Sequence, residues 1–211
     1  MPMSLFVECL DELLPTATHI INSPLVSGVV PPEFKTAIVK ALLKKPSLDH
    51  SNLKNYRPVS NLSFLSKILE KVVLSQLSAY LSSNNLFCSS QSAYRAGQST
   101  EAALLKVIND ILRALDHGNI SVLTLLDLSA AFDTTDHNIL LDRLEDLYGI
   151  SGTALSWFKS YLTGRTQMVT IDNNYSKPSI LCFGVLQGSV LGPVLFILHT
   201  KPLLNLQSIF C

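Results

Sequence analysis

Apolar residues recur along this chain with helical period in several stretches. Over residues 62 to about 82 the positions Phe64, Leu65, Ile68, Leu69, Val72, Val73, Leu77, Tyr80 and Leu81 form one stripe, which predicts a long amphipathic helix with Lys67 and Lys71 on its polar side. A second stripe, Ala103, Leu104, Val107, Ile108, Ile111, Leu112 and Leu115, follows Ser99 or Thr100 as cap and ends at His117-Gly118; it predicts a helix packed beneath a sheet. Asp136 caps a third helix, with Ile139, Leu140, Leu144, Leu147 and Tyr148 inward and Gly149 as its stop. His137 at its start reads as a surface or capping histidine rather than a ligand. A further helix over residues 155–162 buries Trp157 or Phe158 as core, and a final one begins near Val190 and stays apolar through Leu198. Exposed apolar surface over residues 190–206 predicts aggregation. Residues 4–24 predict one or two short helices, broken by Pro15 and closed by Asn22-Ser23-Pro24.

Strand patterns are fewer. After the boundary at Pro31-Pro32, residues 36–43 predict a strand leading into Lys44-Lys45-Pro46, and residues 167–172 and 179–185 alternate like a hairpin joined near Asn173-Asn174. The apolar run from Ile120 to Leu126 is long enough for a buried strand and too short for a globular helix, and it stops abruptly at Asp127. A carboxylate ending a buried strand needs a metal ion, a basic side chain or a helix N-terminus beside it; a cap or loop aspartate is the other reading. The hairpin is expected to deliver Gln187-Gly188-Ser189 to the same cleft as Asp127.

Composition narrows the class. With 211 residues, 47% of them apolar and 15% charged, the chain can bury a core as one large or two small domains. The apolar run over residues 190–198 is interrupted by Gly192 and Pro193 and falls short of a membrane span, and the N-terminus lacks a signal-peptide pattern, so the expected setting is intracellular, nucleus or cytoplasm. Cys9, Cys88, Cys182 and Cys211 lie far apart and indicate neither a zinc site nor a disulfide framework. Net charge is zero, yet residues 35–71 carry eight Lys/Arg against Asp49 and Glu70, a balance of +6, and residues 110–146 carry eight Asp/Glu against Arg113 and Arg143, a balance of −6. A basic front and an acidic centre suit a protein that holds polyanions with one part and divalent metals with another.

Two polar loops carry candidate binding residues. In residues 52–60, Arg57 precedes Pro58, which pushes its backbone to an extended form that holds the side chain out; the guanidinium can grip phosphate or pair with a carboxylate. Residues 91–100 form a second basic, turn-rich stretch containing Arg95.

The string D-L-S-A-A-F-D-T-T-D-H over residues 127–137 resembles motif A of reverse transcriptases encoded by non-LTR (LINE-type) retrotransposons, and G-V-L-Q-G-S-V-L-G-P over residues 184–193 resembles their motif B. Tyr56-Arg57-Pro58-Val59-Ser60 is similar to that family's first conserved block, residues 91–100 to its aromatic-Arg block, and residues 36–45 to the segment opening its fingers region. The resemblance covers most of the chain from about Phe34 onward. It implies an α+β fold of the right-hand polymerase type: an N-terminal helical lead-in (1–34), fingers and connecting helices (35–120), and an incomplete palm with motifs A and B (121–211), its antiparallel sheet backed by helices, the thumb absent. The implied reaction is RNA-directed DNA synthesis, in which dNTPs are added to the 3′-hydroxyl of a DNA primer on an RNA template with two Mg²⁺ ions. By the same resemblance Asp127 and the backbone carbonyl of Leu128 bind metal, and Phe132 lies under the incoming sugar and excludes a 2′-hydroxyl. Arg57 and Arg95 lie near triphosphate and template, and Gln187, Gly188 and Ser189 support template and nucleotide. Asp133 and Asp136 are not metal ligands in that pattern; solvated or capping roles are expected.

The family's other two metal aspartates belong to an aromatic-Ala-Asp-Asp hairpin after motif B. No Asp-Asp pair occurs in the chain, which stops at Cys211, so the expectation is a fragment that does not polymerise by itself and does not fully bind its metals. Leu186, Thr135 and Ala41 stand where the family commonly has Pro, Ile or Val, and Pro, which fits a decaying or partial copy. The competing reading is a non-catalytic nucleic-acid-binding or interaction remnant. A phosphatase using Asp127 as nucleophile would want a second Asp two residues on, where Ser129 stands; a serine hydrolase would want G-x-S-x-G, which is missing.

Overall fold

The strand expected at residues 36–43 forms as β1 (Thr36–Leu43) and becomes the centre of a five-stranded sheet. The structure is a computed structural model and describes residues 9–88, 91–95, 97–125, 127–128, 131–171 and 174–204. On one side β1 pairs antiparallel with β2 (Tyr56–Asn61), Val39 opposite Ser60; on the other it pairs parallel with β3 (Arg165–Ile171), Val39 opposite Val169. β4 (Asn174–Tyr175) and β5 (Ser179–Leu181) both return antiparallel to β3. The described sheet is therefore mixed and not purely antiparallel. β1 and β3 are separated by a long helical connection, the kind of crossover that lets two neighbours run the same way.

The helices are α1 (Leu10–Ser27), α2 (Phe64–Ser83), α3 (Thr100–Asp116), α4 (His137–Asp146), α5 (Gly152–Leu162) and α6 (Gly192–Leu204). Leu69, Val73, Leu77 and Leu81 of α2 join Leu140 and Leu144 of α4, Trp157, Phe158, Tyr161 and Leu162 of α5 and Leu191, Val194, Leu195 and Leu198 around α6 in the main core. A small second core, Ala37, Leu62 and Leu186, packs on the sheet. α2 is capped by the Ser63 hydroxyl, which accepts the Ser66 N–H, and α4 by the Asp136 carboxylate, which accepts from the N–H groups of Asn138 and Ile139 at 2.8 and 3.0 Å. Among the described residues no helix is long and apolar enough to cross a membrane, and Cys9, Cys88 and Cys182 are free thiols.

Several sequence expectations need correction. α1 is one helix that contains Pro15 and Pro24; it stops at Gly28, which adopts the left-handed conformation and donates its N–H to the Pro24 carbonyl. Burial of Ile21 and Pro24 holds the last turn that proline alone would release. α3 forms where its stripe predicts, with the Ser99 hydroxyl as cap, but it is not packed beneath the sheet: none of its residues is buried, and Leu104, Leu105, Ile108, Leu112 and Leu115 are all exposed. The run 120–125 is not a strand; Ile120, Val122, Leu123 and Leu125 are exposed and no described strand pairs with it, and periodicity alone cannot supply the hydrogen-bonding neighbour that a strand requires. Conversely Leu191, Leu195 and Leu198 are core, so the exposed apolar surface expected over 190–206 lies instead on α3 and the segment after it. Of that stretch, residues 205–206 lie outside the described residues, as does Asn173 of the expected hairpin turn. Ile139 and Leu147, expected inward on α4, are exposed.

Candidate functional site

Three sequence blocks, the outer two more than a hundred residues apart, meet at one cleft. The end of β2 reaches the loop before α6, where the Ser60 N–H donates to the Gln187 carbonyl at 2.8 Å. The turn before α4 reaches the start of the same loop: Val185 N–H donates to the Phe132 carbonyl and Gly184 N–H to the Thr135 carbonyl, both at 2.7 Å. His137 Nε2–H donates to the Gly184 carbonyl at 2.8 Å. The cleft between them has a volume of about 350 Å³ and is lined by Pro58, Ser60, Asp133, Gln167, Gly184 and Gln187 among others.

Two glycines permit this approach. At Gly184, with φ +87°, a Cβ would stand 2.9 Å from the Phe132 carbonyl oxygen, and at Gly188, with φ +110°, 2.6 Å from that of Ser60. Both positions combine a left-handed backbone with another backbone at contact distance, so only glycine fits without a shift. Thr135 is fully buried behind the turn, and its hydroxyl has no hydrogen-bond partner among the described residues.

Behind the loop lies a buried polar cluster. Glu70, on the buried face of α2 and 1% exposed, accepts the Tyr161 hydroxyl on Oε1 at 2.7 Å and the Val190 N–H on Oε2 at 2.5 Å. The Arg165 guanidinium, also buried, lies 4.5 Å from the centre of the Tyr161 ring and donates to the Tyr161 carbonyl at 3.1 Å. Burial, and after it the Glu70 charge, push the Tyr161 hydroxyl far above the ordinary tyrosine range, so it remains a donor. Burial, with Arg165 adding to it, holds the Lys35 ammonium below the usual lysine range. Sequence reasoning passed over Glu70 and Arg165. The signal for Glu70 was present: Ser66, Glu70, Val73, Leu77 and Leu81 share one helical face, and a carboxylate inside an apolar stripe requires a partner.

The predicted site residues divide. Gln187 and Gly188 border the cleft beside β2. Ser189 is buried, its hydroxyl accepting the Gly192 N–H at 2.8 Å and so capping the start of α6. Phe132 is half-buried, its ring centre 5.2 Å from that of Phe196. Arg57 is exposed on β2. Arg95 is turned into its own loop, donating to the carbonyls of Cys88 at 3.1 Å and Gln91 at 3.3 Å and lying over the Phe87 ring. Asp127 and Leu128 are exposed and are not among the residues lining the cleft; Asp133 takes that place instead. His137, expected at the surface, is buried because its ring closes the joint between the two motifs. Asp136 is the helix cap. Among the described residues no three His, Cys, Asp or Glu side chains group closely enough to hold a metal ion. A lone exposed carboxylate at Asp127 does not make the oxygen cage that Mg²⁺ requires, so the described donor set does not fit a two-metal centre.

Residues 43–209 match the family described as reverse transcriptase (RNA-dependent DNA polymerase). The chain is 32% identical over 184 residues to the probable RNA-directed DNA polymerase from transposon BS of Drosophila melanogaster, a match covering 87% of this chain and 20% of that protein. It is 31% identical over 199 residues to the RNA-directed DNA polymerase from mobile element jockey of Drosophila funebris, covering 94% of this chain and 21% of that one. The chain thus spans about a fifth of the length of these relatives. In three dimensions it is similar to apo telomerase from Candida tropicalis truncated from the C-terminal domain, with a TM-score of 0.54 and 15% identity over 86% of this chain and 41% of that one, a likeness of fold.

Proposed function

Because the chain belongs to the reverse transcriptase (RNA-dependent DNA polymerase) family, in its non-LTR, LINE-type branch, we propose that it forms the part of an RNA-directed DNA polymerase that holds template, primer end and incoming dNTP. The observation that carries this reading is the convergence of residues 56–60, 131–137 and 184–190 on one cleft, with Gly188 pressed against Ser60. Arg57, exposed on the same strand as the lining residues Pro58 and Ser60, is the candidate phosphate contact, and Gln187 and Gly188 offer side chain and backbone to template and nucleotide, with Ser189 fixing the loop from behind by capping α6. Phe132, propped on Phe196, is the candidate to sit under the sugar. Arg95 holds its own loop through the carbonyls of Cys88 and Gln91. In the family's chemistry divalent metal ions supply positive charge for the reaction; a complete centre would need further carboxylates, and Asp127 and the Leu128 carbonyl would be this chain's part in holding the ions.

A second reading is favoured by the donor set, since one carboxylate cannot assemble that centre: the chain by itself binds nucleic acid and does not extend it. Primer extension on an RNA template with Mg²⁺ separates the two. The chain is compared with a chimera in which the jockey polymerase sequence C-terminal to the matched segment follows Leu204, each with and without Asp127→Ala. The expected result is extension by the chimera only, reduced at least about a hundredfold by the substitution. A chimera that folds and binds primer–template but extends equally well without Asp127 would remove that residue from the site.

A further inference from the structure

We infer that Glu70, which lies outside the motifs carrying the family likeness, is a positioning residue that fixes the loop Gln187-Gly188-Ser189 for nucleotide and template; its nucleotide-handling part rests on the function proposed above. The loop is held at both ends by one unit of chain. Ser60, at the end of β2, donates its N–H to the Gln187 carbonyl at 2.8 Å, and Glu70, ten residues further along that unit on α2, takes the Val190 N–H at 2.5 Å. Between these two bonds lie Gly188 and Ser189, with Gly188 leaning on the Ser60 carbonyl.

A buried carboxylate is an expensive way to fill a helix face, and an apolar residue of similar size would pack there at lower desolvation cost. The carboxylate has what a leucine lacks: two acceptor oxygens, one for each of two buried donors in different elements. Val190 precedes the start of α6, where its N–H has no partner within the helix, and Tyr161 comes from α5, so Glu70 ties α2 and α5 to the loop that leads into α6. The Arg165 guanidinium above the Tyr161 ring supplies positive charge on the far side of that tyrosine. Displacement of the loop would stretch the Val190 bond or press Gly188 toward Ser60, so the two contacts restrict where the loop can sit.

The test compares the wild-type chain with Glu70→Leu, Glu70→Gln and Tyr161→Phe. Melting temperature, hydrogen exchange of the peptide spanning residues 186–192, and affinity for a labelled DNA primer on an RNA template with a dNTP are measured for each. In Glu70→Leu both donors lose their acceptor: loop exchange should rise and affinity fall about tenfold, while exchange in the rest of α2 stays unchanged. In Glu70→Gln the amide oxygen keeps the Val190 N–H and the amide N–H₂ can face the Tyr161 oxygen, so loop protection and affinity should return to within about threefold of wild type. Tyr161→Phe, which leaves the Val190 bond in place, should resemble Glu70→Gln and serves where Glu70→Leu does not fold. Unchanged loop exchange in Glu70→Leu, or an equal loss in all three variants that tracks melting temperature alone, would overturn the proposal. A wild-type chain that binds no primer–template, with loop exchange still rising in Glu70→Leu, would overturn the polymerase reading and Glu70's place in nucleotide handling, leaving it a clamp of the fold.

Discussion

Thr135 shows how a single hydroxyl can mark a site's ancestry in energetic terms. The residue sits at the joint of the two motifs, its carbonyl receiving the Gly184 N–H, and its side chain is fully buried with no partner for Oγ1 among the described residues. An unsatisfied buried hydroxyl costs about 1–3 kcal/mol, and a Val methyl occupies the same volume without that cost. Thr135→Val should therefore raise the melting temperature by about 2–4 °C for each kcal/mol recovered in a domain of this size, measured by thermal unfolding with circular dichroism. A fall in melting temperature would mean that the hydroxyl has a partner, water for instance, that compensates it. Sequence reading had marked Thr135 as a departure from the family pattern. What it could not supply is the burial that turns a departure into a cost.

At the scale of elements, the chain divides into helices that found partners and one that did not. α2, α4, α5 and α6 bury leucines against one another, and there a truncation such as Leu195→Ala removes fully buried surface, a loss of about 2–5 kcal/mol. α3 carries an equally regular stripe that no described residue buries: Leu105, Ile108, Leu112 and Leu115 repeat along one exposed face. Replacing Leu105, Ile108 and Leu112 together by Lys should thus leave the melting temperature nearly unchanged, within about 0.5 kcal/mol per site, while reducing light scattering by the purified chain at high concentration. A large drop in stability would show that this face is covered in solution. The same contrast explains what was legible. Helical period fixed α2, α3 and α4 to within a residue or two, because a 3.6-residue stripe is a local property, and the short apolar stretch 36–43 between Pro31-Pro32 and Lys44-Lys45-Pro46 gave β1. Whether a stripe meets a core is not local, so residues 120–125, expected as a buried strand, lie exposed, and the expected meeting of Asp127 with Gln187 is replaced by that of Asp133 with Gly184. The motif strings did locate the cleft's walls, since Ser60, Asp133, Gly184 and Gln187 all belong to them. Glu70 was missed although its place in an apolar stripe signalled a partner, whereas His137, expected at the surface, is buried by a partner that local pattern does not reveal.

For the whole molecule, a net charge of zero conceals two opposed fields, +6 over residues 35–71 and −6 over 110–146. Under the proposed function, nucleic acid should meet the first. Binding to phosphate releases counterions, so the logarithm of affinity falls linearly with the logarithm of salt concentration by roughly 0.7–0.9 per phosphate neutralised. The structure distinguishes the two arginines that sequence reasoning treated alike. Arg57 is exposed on β2, free to reach a backbone phosphate, whereas the Arg95 guanidinium is spent on the carbonyls of Cys88 and Gln91 and on the Phe87 ring. Arg57→Ala should therefore weaken binding to an RNA–DNA primer–template across sequences and shallow the salt slope by about one phosphate's worth, with little change in melting temperature. Arg95→Ala should do the reverse, releasing the carbonyls of Cys88 and Gln91 and lowering stability while leaving the slope in place. The measurement is a fluorescence-anisotropy titration at several salt concentrations for wild type and both variants. A slope that changes with Arg95 and not with Arg57 would mean that the second basic loop opens on binding and that the edge of β2 is not where phosphate is held.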